Sequence, residues 1–261
     1  MNQRLGENSR SCFERPDCRT AQKALSLPQL RAARPTPCKE ERLSANAVDV
    51  RYTLGEELAN SLTHACGVIL SIAGLIVLTS AAIARGGGAS DVASCAIYGI
   101  TLVVLYTSST LYHSAVLPER KRKLRIFDHL AIFLLIAGTY TPFVLIALRG
   151  AWGWTLFAIV WSLAAVGTVI ELSQLARFRR VMVALYIAMG WVGLIAIEPL
   201  VAALPAPGLW LLFGGGASYT LGVVFYRWHG LRYHHAVWHL FVLGGSVLQY
   251  FSVLYYVLPA E

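Results

Sequence analysis

From Leu58 onward, stretches of about twenty apolar residues recur seven times, and that repetition leaves few folds open. The stretches are 58–83, 91–113, 128–148, 152–172, 181–201, 208–227 and 235–258. Short breaks separate them: Gly86-Gly87-Gly88, the basic run Pro118–Arg125, Arg149-Gly150, Arg177–Arg180, Pro205-Ala206-Pro207 and Trp228–His234. Each stretch matches the ~20 residues that a helix needs to cross the hydrocarbon core of a bilayer. Lipid offers no partner to free backbone N–H and C=O groups, so all seven are expected to be helical. Composition agrees, because only 14% of the 261 residues are charged, against about a quarter in a soluble domain. The expected fold is all-α: an integral membrane bundle of seven transmembrane helices over 53–261.

Residues 1–52 differ from the rest. They are rich in Arg, Pro, Ser and Glu, and Pro16, Pro28, Pro35 and Pro37 interrupt any helix, so a disordered basic N-terminal tail is expected. The tail holds ten of the 22 Lys and Arg residues. Ten more flank the breaks after the second, fourth and sixth stretches, and only Arg85 and Arg149 lie on the other side. Positive charge stays on the cytoplasmic side. The N-terminus is therefore expected in the cytoplasm and the C-terminus outside, the reverse of the G-protein-coupled receptor arrangement. The net charge of +8 suits an anionic membrane surface, and no nucleic-acid-binding motif accompanies it. The first apolar run begins too late for a secretory signal peptide. The five cysteines form no C-x-x-C pair and are expected as free thiols.

The topology brings polar residues to one level. His113 ends the second stretch, Asp128 begins the third, and His235 and His239 open the seventh, all at the cytoplasmic end. His235 and His239 share a helix face about 6 Å apart along the axis, a spacing that lets two imidazoles bind one metal. With His113 they make three protein ligands, which with a water is the pattern of a catalytic zinc site. Zinc lowers the pKa of a bound water towards ~7. Asp128 is placed to take that proton, and Ser109, one turn before His113, to donate to a developing oxyanion. Each residue alone has a plainer reading: an interfacial histidine pair, a salt-bridged helix cap at Asp128, a packing hydroxyl at Ser109. Ionisable groups within spans are costly and usually functional, and their meeting at one depth favours the metal site.

Other polar groups read as structure. Glu57, Asn60 and His64 share a face at the start of the first stretch, where capping and interhelical hydrogen bonds explain them as well as support of the site does. His129 reads as interfacial, and Glu171 is placed to pair with Arg177. Pro142 is expected to kink the third stretch, with Thr139 or Thr141 taking the freed carbonyl. Gly214-Gly215-Gly216 and Gly244-Gly245 permit close helix approach within or between chains, which leaves oligomeric state open.

The motifs Glu56–His64, Ser108-Ser109-Thr110-Leu111-Tyr112-His113, Phe127-Asp128-His129, Ala137–Phe143 and His234–Leu240 closely resemble those of the bacterial haemolysin III family. That family is related to the progestin and adipoQ receptors and more remotely to alkaline ceramidases. The resemblance covers residues 53–258 and implies a multi-pass protein of the bacterial inner membrane. It implies zinc on His113, His235 and His239, with Asp128 contacting the zinc-bound water and Ser109 close by. Family members often carry Cys-His where Gln249-Tyr250 stand, so these positions receive no role. Two functions are expected to compete. One is a zinc-dependent hydrolase of lipid amides or esters. The other is a non-enzymatic pore-forming cytolysin or receptor-like sensor with structural zinc. A pore needs a continuous polar stripe, and the fifth and sixth stretches are apolar and glycine-rich at their centres.

Overall fold

The computed structural model describes residues 52–173 and 179–259. The expected tail, Cys12, Cys18, Cys38 and Arg177 lie outside the described residues. Seven helical spans in this region are long and apolar enough to cross a membrane. They are α1 (Leu54–Ala84), α2 (Ala89–Ser114), α3 (Pro118–Pro142) with a π-helical turn over Phe143–Leu148, α4 (Gly150–Leu172), the paired α5 (Arg179–Gly190) and α6 (Ile197–Ala203), α7 (Ala206–Arg227), and α8 (His234–Ser252) with a second π-helical turn over Val253–Val257. The spans pack in chain order, and α8 returns to pack against α1.

The bundle is dressed for lipid. Ile69, Leu70, Ile76 and Ile83 on α1 are all more than half exposed, while Asn60, His64, Asp128, His235 and His239 are buried. A water-soluble protein distributes these groups the other way. The most interior spans are α3, α2 and α8, with 61%, 50% and 44% of their apolar windows buried, against 28% or less for the others. Asp128, His113 and the pair His235 and His239 sit on those three spans.

Two expected boundaries move. The basic run Pro118–Arg125 is no break; it is the start of α3, and the connection from α2 shrinks to Ala115–Leu117. Pro118 occupies the first helical position, where a fixed φ and a missing N–H do no harm. Asp128 is thus an interior helix residue and not a cap. The fifth stretch is not one helix either. Between α5 and α6 the chain tightens into a 3-10 turn over Val192–Ala196, and Pro199 has no N–H to return to the Ile195 carbonyl. The Tyr140 hydroxyl from α3 spans this break, donating to the Gly190 carbonyl at 2.7 Å and accepting from the Gly193 N–H at 2.9 Å.

Neither threonine near Pro142 takes the carbonyl that the proline frees. Thr139 donates to Leu135 O and Thr141 to Ala137 O, and a π-helical turn follows the proline instead. Close approaches fix the packing. The Tyr106 ring lies on Gly67, and its hydroxyl donates to Ser246 Oγ at 2.7 Å, tying α2 to α8. Gly215 and Gly245 each face the other's carbonyl, so α7 and α8 meet backbone to backbone within the chain. Among the described residues Cys66 and Cys95 are free thiols, as expected.

Candidate metal centre

His113 ends α2, and α8 opens with His234 and His235 and places His239 one turn further on. α2 runs antiparallel to α1 and α8, which both start at this level, and that packing brings these ends together. The three rings of His113, His235 and His239 form a compact triangle with centroids 4.6 to 5.1 Å apart. All three are buried, and one ligand nitrogen from each lies within 4.8 Å of the others. The neighbouring His234 is buried too, against the Phe225 carbonyl, and does not join the triangle.

What the ring nitrogens do separates this triangle from ordinary histidine packing. Every Nδ1 has a partner. His113 Nδ1 lies 2.7 Å from Glu57 Oε2, His239 Nδ1 lies 3.1 Å from the Asn60 carbonyl and 3.2 Å from Thr63 Oγ1, and His235 Nδ1 lies 3.1 Å from the Tyr52 hydroxyl. A carboxylate and a carbonyl only accept, so Nδ1 carries the proton in His113 and His239, and Nε2 keeps its lone pair. Every Nε2 of the triad is buried with no hydrogen-bond partner. Three desolvated, unpaired ring nitrogens at one point cost free energy unless something binds them. A metal cation fits this donor set, and partners on the far nitrogen are how such ligands are usually oriented.

Those partners come almost wholly from the start of α1, which supplies no ligand itself. Glu57 is tied further by Lys121 Nζ at 2.8 Å from its Oε1. Glu56 completes a capping box with Thr53 and accepts from the Tyr233 N–H at 3.2 Å, anchoring the start of α8. Glu57 and Asn60 thus make the expected interhelical hydrogen bonds, and their partners are the site histidines. The sequence signal was their shared face; Tyr52 and Thr63 gave none. His64 lies on the same face and stacks on His239 with centroids 3.5 Å apart and planes 16° apart. Both of its nitrogens are buried and unpartnered.

Asp128 stands outside the triad. It is buried on α3 and faces Ser109 and His113 across the α2–α3 contact. The Ser109 hydroxyl is itself buried and falls short of hydrogen-bonding geometry with any described group, Asp128 included. His129 is more than interfacial. Its Nδ1 is 2.8 Å from Glu171 Oε1, its carbonyl accepts from Tyr186, and Arg179 reaches the same carboxylate at 3.4 Å, so Glu171 joins α3, α4 and α5.

Beside the triad opens a cavity of about 190 Å³ between α3, α5, α7 and α8. Asp128, His64 and His235 stand at its polar end, and Leu135, Met182 and Val242 among others form apolar walls. A second space of about 70 Å³ adjoins it around Tyr140, Trp191 and Gln249.

Comparison with known proteins identifies the family. Residues 52–250 match a family described as haemolysin-III related. Hemolysin-3 of Bacillus cereus is 48% identical over 204 residues, covering 78% of this chain and 93% of that protein. The Hemolysin-3 homolog of Bacillus subtilis is 48% identical over 205 residues, covering 78% and 96%. The human monocyte to macrophage differentiation factor is 27% identical over 212 residues, covering 78% and 85%. With seven apolar spans and this match across most of its length, the chain belongs to the haemolysin III-related family of multi-pass integral membrane proteins.

Proposed function

We propose that the protein is a zinc-dependent hydrolase of lipid amides or esters, set in the bacterial inner membrane with its N-terminus and metal centre towards the cytoplasm. The observation that carries this reading is the meeting of three buried, unpartnered Nε2 atoms beside an apolar cavity. His113, His235 and His239 would hold the ion, and a set of three imidazoles suits zinc. When bound, zinc supplies Lewis acidity and activates a water near neutral pH.

The chain's own residues do the rest. A lipid's hydrocarbon tail enters the cavity from the membrane, which places its amide or ester near Asp128 and Ser109. The Asp128 carboxylate accepts the proton of the attacking water and returns it to the leaving amine or alcohol. The Ser109 hydroxyl, buried beside Asp128, donates to the carbonyl oxygen as negative charge develops there. Glu57 and the Asn60 carbonyl hold His113 and His239 in one tautomer, and Tyr52 orients His235. The names of the Bacillus relatives speak of haemolysis, which makes a pore the competing reading.

Elemental analysis of the purified protein tests the metal. One zinc per chain is expected, lost in both His235→Ala and His239→Ala. Equal zinc content in all three proteins refutes the site. Asp128→Asn is expected to keep zinc while losing turnover of a fluorogenic lipid amide or ester. Full turnover in that variant refutes the proton role. Ion flux through reconstituted vesicles without such turnover would support the pore instead.

A further inference from the structure

The basic residues that open α3 are not alike. Arg120, Arg122 and Lys123 are exposed, and Lys121 is paired with Glu57. Arg125 is half-buried, and its Nε is buried without a hydrogen-bond partner. Among the described residues no carboxylate lies within ion-pairing distance of it. A buried donor on a charged group left in this state costs more than a neutral one. Arg125 also precedes Asp128 by three residues and His129 by four, so all three share one helix face. That face lines the large cavity at its polar end.

Arg179 of α5 lines the same cavity, but Glu171 balances its charge, and the same carboxylate oxygen lies 2.8 Å from His129 Nδ1. Asp128 is directed at Ser109 and His113 and forms no ion pair with Arg125. One guanidinium without a counter-charge among the described residues therefore borders a space whose walls beyond the polar end are largely apolar, Ile132, Leu135, Met182 and Val242 among them. Its planar fork matches a phosphate in two-point contact. An amphiphile that fills this space needs a hydrocarbon chain for the walls and an anionic group for the mouth.

We propose that Arg125 holds the phosphate of an anionic lipid whose hydrocarbon chain occupies the cavity, so that the substrate class is a phosphate-bearing lipid. The proposal rests on the reading that lipid enters this cavity, and it does not depend on hydrolysis. Arg125 selects the ligand; it does not take part in proton transfer.

The test measures thermal unfolding of the full-length protein in maltoside micelles with dodecyl phosphate, dodecanol or inorganic phosphate. It compares wild type with Arg125→Gln, Arg125→Lys and Arg122→Gln. In the wild type dodecyl phosphate protects at roughly tenfold lower concentration than dodecanol, and inorganic phosphate at the same concentration does not protect. Arg125→Gln brings dodecyl phosphate down to the level of dodecanol, Arg125→Lys keeps part of the difference, and Arg122→Gln keeps all of it. Equal loss in Arg122→Gln and Arg125→Gln assigns the effect to diffuse surface charge and overturns the proposal. So does inorganic phosphate protecting as well as dodecyl phosphate, or no preference over dodecanol in the wild type. Phosphate selection in a protein that hydrolyses nothing sinks the enzyme reading and leaves this one standing.

Discussion

Replacing Glu57 tests whether the triangle of histidines is a metal centre or only a packed cluster. Glu57 touches no metal in the proposed site; its Oε2 lies 2.7 Å from His113 Nδ1 and its Oε1 lies 2.8 Å from Lys121 Nζ. Removing an outer partner of a metal-binding histidine typically costs 10–100-fold, about 1.4–2.8 kcal/mol, in metal affinity. Glu57→Gln keeps an acceptor at the same place and loses the charge, so it belongs at the low end. Glu57→Ala leaves the His113 Nδ1–H facing only the Asn60 Nδ2 at 3.5 Å, a donor that cannot take its proton, and also strands Lys121, so it belongs at the high end. The assay is zinc competition against a chromophoric chelator, with purified protein in detergent. The double variant Glu57→Ala with His113→Ala supplies the cycle: once His113 is gone, removing Glu57 should cost zinc affinity nothing further. Wild-type affinity in Glu57→Ala, or an undiminished Glu57 effect without His113, would refute the argument that this carboxylate acts through that ring.

Gly138→Ala drives a methyl into the Thr101 side chain and Gly67→Ala into the Tyr106 ring, so each should lose about 1–3 kcal/mol of stability, read as a lower midpoint of thermal unfolding in detergent. Ile69 is 70% exposed on α1, and Ile69→Arg should cost about 2.5–3.5 kcal/mol of membrane insertion, seen as a smaller share of protein in the membrane fraction; undiminished insertion contradicts a lipid-facing position. Tyr140→Phe strips both bonds from the break between α5 and α6 and should destabilise the fold by roughly 1–3 kcal/mol without changing zinc content.

The spans were legible because lipid imposes a length and a polarity that one sequence must state openly. The triad was legible for a related reason: topology puts the ends of alternate spans at one level, and histidines there stand out from Leu and Val. The start of α3 was not, because Arg120–Arg125 is too polar to count as span while remaining a sound helix behind Pro118. The break after Gly190 was hidden because its stabilising group, the Tyr140 hydroxyl, lies 50 residues away in sequence. The roles of Tyr52, Glu57, Asn60 and Thr63 were hidden for the same reason. Periodicity showed that Glu57, Asn60 and His64 share a face, but whether that face meets a helix, a ligand or solvent depends on how α1 docks against α2 and α8. Arg125 looked like one more loop cation until the helix carried it to the cavity.

The histidines of the triad sit on the second and last spans, and the groups that orient them sit at the opening of the first. During synthesis, then, α1 and α2 can be in place long before His235 and His239 exist. No intermediate shorter than nearly the whole chain can present all three nitrogens. Loading an ion would act as a seam joining the earliest helix to the latest, rewarding only a bundle that has closed.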